Sequence, residues 1–250
     1  MSESENKTVV VTGGSNGIGA AIIRNISQAN PEYRIYNLDK ECPAEGSVEG
    51  FVSKWCKCDV SYKLQVEHAL EFLKIKSIDI LINNAGVNFI DWIENTPEAQ
   101  FDRIIRTNAK SIFNTTRVMM PTLMENNGTI LNIVSNASHM PMTNSIAYNA
   151  SKGAAHIMTL QMSRELGPKG ITVFGISPNR VSGTGMSDYI DEKVCGIRGW
   201  SKEHAREYQL SALPAGEETD ADTLGEFIAF ILSTKQRHKY MAGTIIPYGK

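Results

Sequence analysis

Short β-branched runs alternate along this chain with longer stretches in which apolar residues return every three or four positions. Val9-Val10-Val11 reads as a short buried strand, and Ala20 to Ile26 follows with its apolar positions on one side of a helix. Tyr33 to Leu38 is apolar and β-prone, and Val52 to Cys58 is a weaker third strand. Tyr62 to Leu73 spaces Leu64, Val66, Ala69, Leu70 and Leu73 as a helix, and Ile78 to Ile82 is a compact buried strand. Pro97 to Met124 reads as one long helix, with Thr96 as N-cap, Pro97 in the first turn and Pro121 bending or closing the last. Thr129 to Val134 (strand), Ser145 to Leu166 (helix), Ile171 to Ile176 (strand), Thr223 to Leu232 (helix) and Thr244 to Ile246 (strand) complete the series.

Alternation of this kind predicts an α/β protein: one doubly wound parallel sheet with helices on both faces, and a single domain over residues 1–250. Residues 182–214 depart from it, being polar and charged with scattered Tyr189, Trp200 and Tyr208. That stretch reads as a long irregular insertion covering a ligand site; a pair of surface helices is the other reading.

Composition narrows the function by exclusion. A formal net charge of −2 and the absence of any basic run give no electrostatic reason to expect nucleic acid or an anionic membrane as partner. The first residues, Met1 to Lys7, are polar, and no segment reaches the ~20 apolar residues of a spanning helix, so a cytoplasmic protein is expected. Cys42, Cys56, Cys58 and Cys195 lack the second pair or spaced histidines of a metal site, so no metal is expected and the thiols read as reduced.

Thr12-Gly13-Gly14-Ser15-Asn16-Gly17-Ile18-Gly19 joins the first strand to the first helix. A pyrophosphate at such a junction meets unpaired N–H groups and the positive end of the helix dipole. Gly13 and Gly17 would supply the tight turn, and Gly19 would let the helix pack closely. The lack of a following Lys-Ser/Thr argues against a nucleoside-triphosphate loop. Asp39 lies 20 residues after Gly19, where an acidic residue would hold an adenosine ribose and repel a 2′-phosphate. NAD is therefore favoured over NADP, with Lys40 next door as the contrary sign. Tyr148 and Lys152 are four apart and share one helix face. An ammonium group there would favour the phenolate, so that Tyr148 could exchange a proton with a carbonyl or hydroxyl oxygen.

These motifs, with Asp59-Val60, Asn83-Asn84-Ala85-Gly86, a serine (Ser135) 13 residues before Tyr148, and Asn108 mid-helix, resemble those of the short-chain dehydrogenase/reductase family over nearly the whole chain. The resemblance implies a catalytic set of Asn108, Ser135, Tyr148 and Lys152. Tyr148 would be the acid/base, Lys152 would lower its pKa and hold the nicotinamide ribose, and Ser135 would orient the substrate oxygen. Asn108 would hold a water beside Lys152 through a local helix distortion. It also implies cofactor contacts at Gly13, Ser15, Asn16, Gly17, Ile18, Gly19, Asp39, Asp59, Val60, Asn84, Ala85, Tyr148, Lys152 and Val181. Substrate contacts would fall at Asn88, Asn136, His139 and Met186.

The chain departs from the family at Ser177-Pro178-Asn179, where Asn179 would take the left-handed turn of the usual glycine, and at Val181-Ser182-Gly183-Thr184, one residue longer than usual. The implied activity is reversible hydride transfer between a nicotinamide cofactor and a secondary alcohol or ketone of small size, by a homotetramer or homodimer. A 3-oxoacyl-carrier-protein-reductase-like activity with NADPH is the alternative within the class, and a nucleotide-sensing protein without turnover the alternative outside it.

Overall fold

A computed structural model describes residues 6–213 and 215–249, the side chains of Lys235 and Gln236 apart. Met1 to Glu5 of the polar start, Pro214 at the end of the expected insertion, and Lys250 lie outside the described residues. The strands are β1 (Thr8–Thr12), β2 (Arg34–Asp39), β3 (Lys54–Lys57), β4 (Ile80–Asn83), β5 (Thr129–Ile133), β6 (Thr172–Pro178), β7 (Val181–Ser182), β8 (Thr219–Asp220) and β9 (Ile245–Tyr248). The helices are α1 (Gly17–Ala29), α2 (Lys63–Leu73), α3 (Glu98–Ile105), α4 (Ser111–Glu125), α5 (Ile146–Leu166), α6 (Gly185–Arg198), α7 (Lys202–Ser211), α8 (Ala221–Leu232) and α9 (Lys235–Lys239).

Seven strands form one parallel sheet in the order β3-β2-β1-β4-β5-β6-β9, and β7 pairs with β8 beside it. Side chains alternate across a strand, so β1 feeds two cores. Val9 and Val11 pack with Ile22, Ile23 and Ile26 of α1 and Leu224, Ile228 and Ile231 of α8. Val10 packs on the opposite face with Val66 and Ala69 of α2 and Met119 and Leu123 of α4. α8 lies tight against α1 because residue 225 is glycine: a Cβ there would stand 2.8 Å from the Ala21 carbonyl oxygen. The strand order reverses between β1 and β4, which opens a crevice beyond their carboxyl ends.

A buried polar relay ties the second face together. Thr115 of α4 donates to Asn83 Oδ1 (2.7 Å), Asn83 Nδ2 donates to Asn132 Oδ1 (2.9 Å), and Asn132 Nδ2 donates to Thr159 of α5 (2.9 Å). Each buried amide is thereby satisfied, which fixes α4 and α5 relative to β4 and β5.

Three expectations are corrected. The single helix over 97–124 is instead α3, one π-helical turn over Arg106–Lys110, and α4. Pro97, in extended backbone, precedes the helix, while Thr96 donates its hydroxyl to the Trp92 carbonyl rather than capping. Pro121 sits inside α4 without ending it. Second, the stretch from Ser182 is not irregular: α6 and α7 form a helix pair. Thr184 and Ser201 cap the two N-termini with their hydroxyls, and Gly199 takes the left-handed conformation that ends α6. Third, Asn179 is not left-handed, because its backbone stays in register with β9, its N–H donating to the Tyr248 carbonyl at 2.9 Å.

Candidate active site

The carboxyl ends of the central strands open into a cleft of about 720 Å³. Its floor is the glycine turn. Gly13 and Gly17 have φ of +65° and +53°, a region that costs an L side chain strain. A Cβ on Gly19 would meet the Gly13 carbonyl oxygen at 2.1 Å and Asn84 Nδ2 at 2.5 Å, so any side chain there breaks the turn. Asn84 Nδ2 in fact donates to the Thr12 and Gly13 carbonyls, at 3.1 and 2.7 Å, and pins the turn to the end of β4. Asn16 precedes α1 but makes no side-chain cap, which leaves the first-turn amides beside the cleft for an anionic oxygen.

Asp39 ends β2 at one end of this cleft, with Asp59 and Val60 beside it. One Asp39 oxygen accepts the Ser15 N–H at 2.9 Å and the other the Glu41 N–H at 3.1 Å. Ser15 itself is buried behind the turn, its hydroxyl donating to the Glu41 carbonyl. The Lys40 ammonium stands 3.7 Å from the Glu41 carboxylate.

Farther along the same cleft lie Ser135, Tyr148 and Lys152. Ser135 follows β5 and caps a short 3₁₀ turn, its Oγ accepting the Ala137 N–H at 3.2 Å. Tyr148 and Lys152 project from α5, with the Lys152 ammonium 5.8 Å from the Tyr148 ring centre. Lys152 is buried and donates to the Ile133 carbonyl at 2.9 Å. Burial pushes the Tyr148 phenol up, and a hydrogen bond with Ser135 offsets part of that rise. Burial also pulls Lys152 down to about 8. In the chain alone burial sets the direction for the phenol, upward, and the bond with Ser135 opposes it; one of the three Lys152 ammonium protons is given to Ile133.

Asn108 sits in the π-helical turn, where a helix distortion was expected, but it does not line the cleft. Its side chain holds Val87 by two 2.8 Å bonds and donates to Ser151 Oγ at 2.9 Å. A methyl group on Gly86 would lie 3.5 Å from Asn108 Oδ1 and 3.8 Å from Lys152 Nζ, so the two side chains flank that glycine.

The remaining expected residues divide. Gly13, Asn16, Gly17, Ile18, Asn84, Ala85 and Val181 line the cleft, as do Asn88, Asn136 and Met186. Gly19 and Ser15 shape it from behind. His139 lies outside its lining: it is exposed, with Nδ1 3.1 Å from Ser138 Oγ and its ring 6.4 Å from that of His156. Thr184 packs against Gly17 and lines the cleft as well. Sequence reasoning missed Arg180, Arg198, Tyr208 and Leu213, which α6, α7 and their flanks bring to the wall.

A family model described as short chain dehydrogenase matches residues 7–194. The chain belongs to that family. This short-chain dehydrogenase is 26% identical over 260 residues to sorbitol-6-phosphate 2-dehydrogenase of Klebsiella pneumoniae, covering 98% of this chain and 96% of that one. It is 28% identical to a 3-oxoacyl-acyl-carrier-protein reductase of Thermotoga maritima, over 97% and 96% of the two chains. In fold it resembles the NAD+-bound structure of a xylitol dehydrogenase, with a TM-score of 0.89 at 24% identity over 99% and 100% of the chains. Short-chain dehydrogenases bind NAD(P), and this one is an oxidoreductase acting on CH–OH groups. Among the described residues, no helix is long and apolar enough to cross a membrane.

Proposed function

We propose that this short-chain dehydrogenase is NAD-dependent and catalyses reversible hydride transfer between the nicotinamide and a secondary alcohol or ketone, with Tyr148 as acid/base. One observation carries the reading: Ser135, Tyr148 and Lys152 share a cleft with an uncapped helix N-terminus and with Asp39. The residues fit a dinucleotide. The glycine turn and first amides of α1 would hold the diphosphate, Asp39 the adenosine ribose, and Lys152 with Tyr148 the nicotinamide ribose. Bound there, the nicotinamide supplies a hydride donor or acceptor.

In ketone reduction, the neutral Tyr148 phenol gives its proton to the carbonyl oxygen, while the Ser135 hydroxyl donates a hydrogen bond to that oxygen. Oxidation reverses the transfer, and the phenolate takes the proton. The Lys152 ammonium, poised near neutrality by burial, stabilises the phenolate while charged. The preference for NAD is supported by the carboxylates of Asp39 and Glu41 at the nucleotide end, and by Lys40 facing Glu41 rather than standing alone.

A sheet with a core on each face supports reading residues 1–250 as one domain. Exposed Phe113 of α4 and Ile146 and Ile157 of α5 support a homodimer or homotetramer, and four free thiols a cytoplasmic setting. The deciding experiment is turnover of a panel of secondary alcohols and ketones with NAD(H) and NADP(H), run alongside Tyr148→Phe. Absence of turnover with either cofactor refutes the reading.

A further inference from the structure

The cleft wall beyond Tyr148 is largely apolar, with Met140, Met142, Met186, Ile190 and Val194, yet Arg198 is part of it. Every other cation of this cleft region is engaged. Arg180 is bound by Glu218 and Asp191, Lys152 donates to Ile133, and Lys40 faces Glu41. Arg198 has no carboxylate partner among the described residues. The acidic residues lining the cleft, Asp39, Glu41 and Asp59, all belong to the nucleotide end.

Arg198 is also held in place. Its Nε donates to Asn144 Oδ1 at 3.1 Å, and Asn144 is buried with φ +67°, its carbonyl accepting the Asp91 N–H. The Trp200 and Tyr208 rings stand 4.7 and 5.7 Å from the guanidinium carbon. With Nε engaged and the plane held near aromatic rings, the two Nη groups make no hydrogen bond to the described residues. A rigid guanidinium in an apolar wall is suited to a planar or tetrahedral oxyanion, which it can grip with two N–H groups.

We propose that Arg198 is a specificity residue that binds an oxyanion, carboxylate or phosphate, carried by the alcohol or ketone substrate away from its reacting carbon. The assignment of a substrate rests on the oxidoreductase reading above; the anion site itself does not. Asn144 positions the arginine and directly precedes the segment that begins α5, so the same short stretch sets both the anion grip and Tyr148.

The test compares wild type, Arg198→Gln and Arg198→Lys on two matched pairs, a hydroxy acid against its methyl ester and a polyol phosphate against the free polyol. Propionate and inorganic phosphate are also titrated into each protein by calorimetry. In one pair the wild type should prefer the anionic member at least about tenfold in kcat/KM. Arg198→Gln should erase that preference, raising KM for the anionic member at least about tenfold more than for the neutral one. Arg198→Lys should keep part of it, since the charge remains and the fork is lost. The pair that responds distinguishes carboxylate from phosphate. Equal use of both members by the wild type, or a preference that survives Arg198→Gln, overturns the inference and leaves the oxidoreductase reading standing. If no alcohol is oxidised, that reading falls. The titration then decides the anion site: binding lost in Arg198→Gln sustains it, and no binding to the wild type overturns it.

Discussion

Asn108 grips the backbone of Val87 in both directions, its Oδ1 accepting the Val87 N–H and its Nδ2 donating to the Val87 carbonyl, each at 2.8 Å. The π-helical turn places that side chain where a regular helix would carry it off line, and Nδ2 also reaches Ser151. Ser151 in turn donates to the Tyr148 carbonyl at 2.8 Å. Asn108 therefore couples the Gly86–Asn88 wall of the cleft to the helix bearing Tyr148.

Asn108→Ala strands the Val87 amide and removes the coupling. An unsatisfied amide costs about 1–3 kcal/mol when buried, and Val87 is half-buried at the cleft, so a loss of about 1 kcal/mol in unfolding free energy is expected, together with a fall in kcat. Asn108→Asp keeps the acceptor for the Val87 N–H but sets a buried carboxylate oxygen against the Val87 carbonyl, so it should lose at least as much as the alanine variant. Denaturant unfolding and steady-state kinetics measure both effects; an Ala variant with wild-type stability would show that Val87 finds another partner.

How much of this site was legible beforehand depends on how local its chemistry is. The glycine turn, Asp39 and the Tyr148–Lys152 pair are read from spacing, because one turn of helix or one strand-to-helix junction fixes their geometry. The direction of the Tyr148 shift was not legible, since desolvation is set by what packs around α5 from elsewhere in the chain. Nor was the relay through Thr115, Asn83, Asn132 and Thr159: isolated polar residues in apolar runs reveal partners only after strands and helices pair. The helix pair α6–α7 had its signals in Thr184, Gly199 and Ser201, but its polar composition hid the apolar face turned to the cleft. Arg198 carries no signal of its own in the sequence, because the Asn144 that holds it lies 54 residues earlier.

Tyr148→Phe removes the only proton that the proposal exchanges with substrate. Turnover should fall by about 10²–10⁴, far more than NAD binding (followed by quenching of intrinsic fluorescence), which loses only the contact of the phenol with the nicotinamide ribose. The pH profile should be directional. Because burial raises the phenol, oxidation, which needs the phenolate, should climb steadily from pH 7 towards 10. Reduction, which needs the protonated phenol, should not rise over that range. Matching profiles in the two directions would remove Tyr148 as the titrating group.

Asp39→Ala tests the choice of nucleotide. Loss of the carboxylate removes the repulsion towards a 2′-phosphate, so the ratio of kcat/KM for NAD over NADP should drop at least about tenfold, equivalent to about 1.4 kcal/mol. The variant also frees the Ser15 and Glu41 amides, and a modest loss of thermal stability should accompany it. A wild type that already prefers NADP would contradict the cofactor proposal outright.

Lys152 should reveal itself as a functional residue held against stability. Burial lowers it from 10.5 to about 8, so below pH 8 both folded and unfolded chains carry the proton and the folded state bears the full desolvation cost. Between about pH 8 and 10.5 the unfolded chain binds the proton and the folded one does not, so this group makes stability rise with pH over that window. The Tyr148 phenol, raised above its ordinary value of 10, retains its proton in the folded state and lowers stability only at still higher pH. Lys152→Met should thus melt higher than wild type at pH 7, by an amount on the order of 1–3 kcal/mol after loss of the bond to Ile133. That advantage should shrink steadily as pH approaches 10, while turnover is severely reduced at every pH. Thermal unfolding of both proteins across pH 7–10 measures it, and a methionine variant that melts lower than wild type at pH 7 would mean that the bond to Ile133 outweighs the cost of burying the charge.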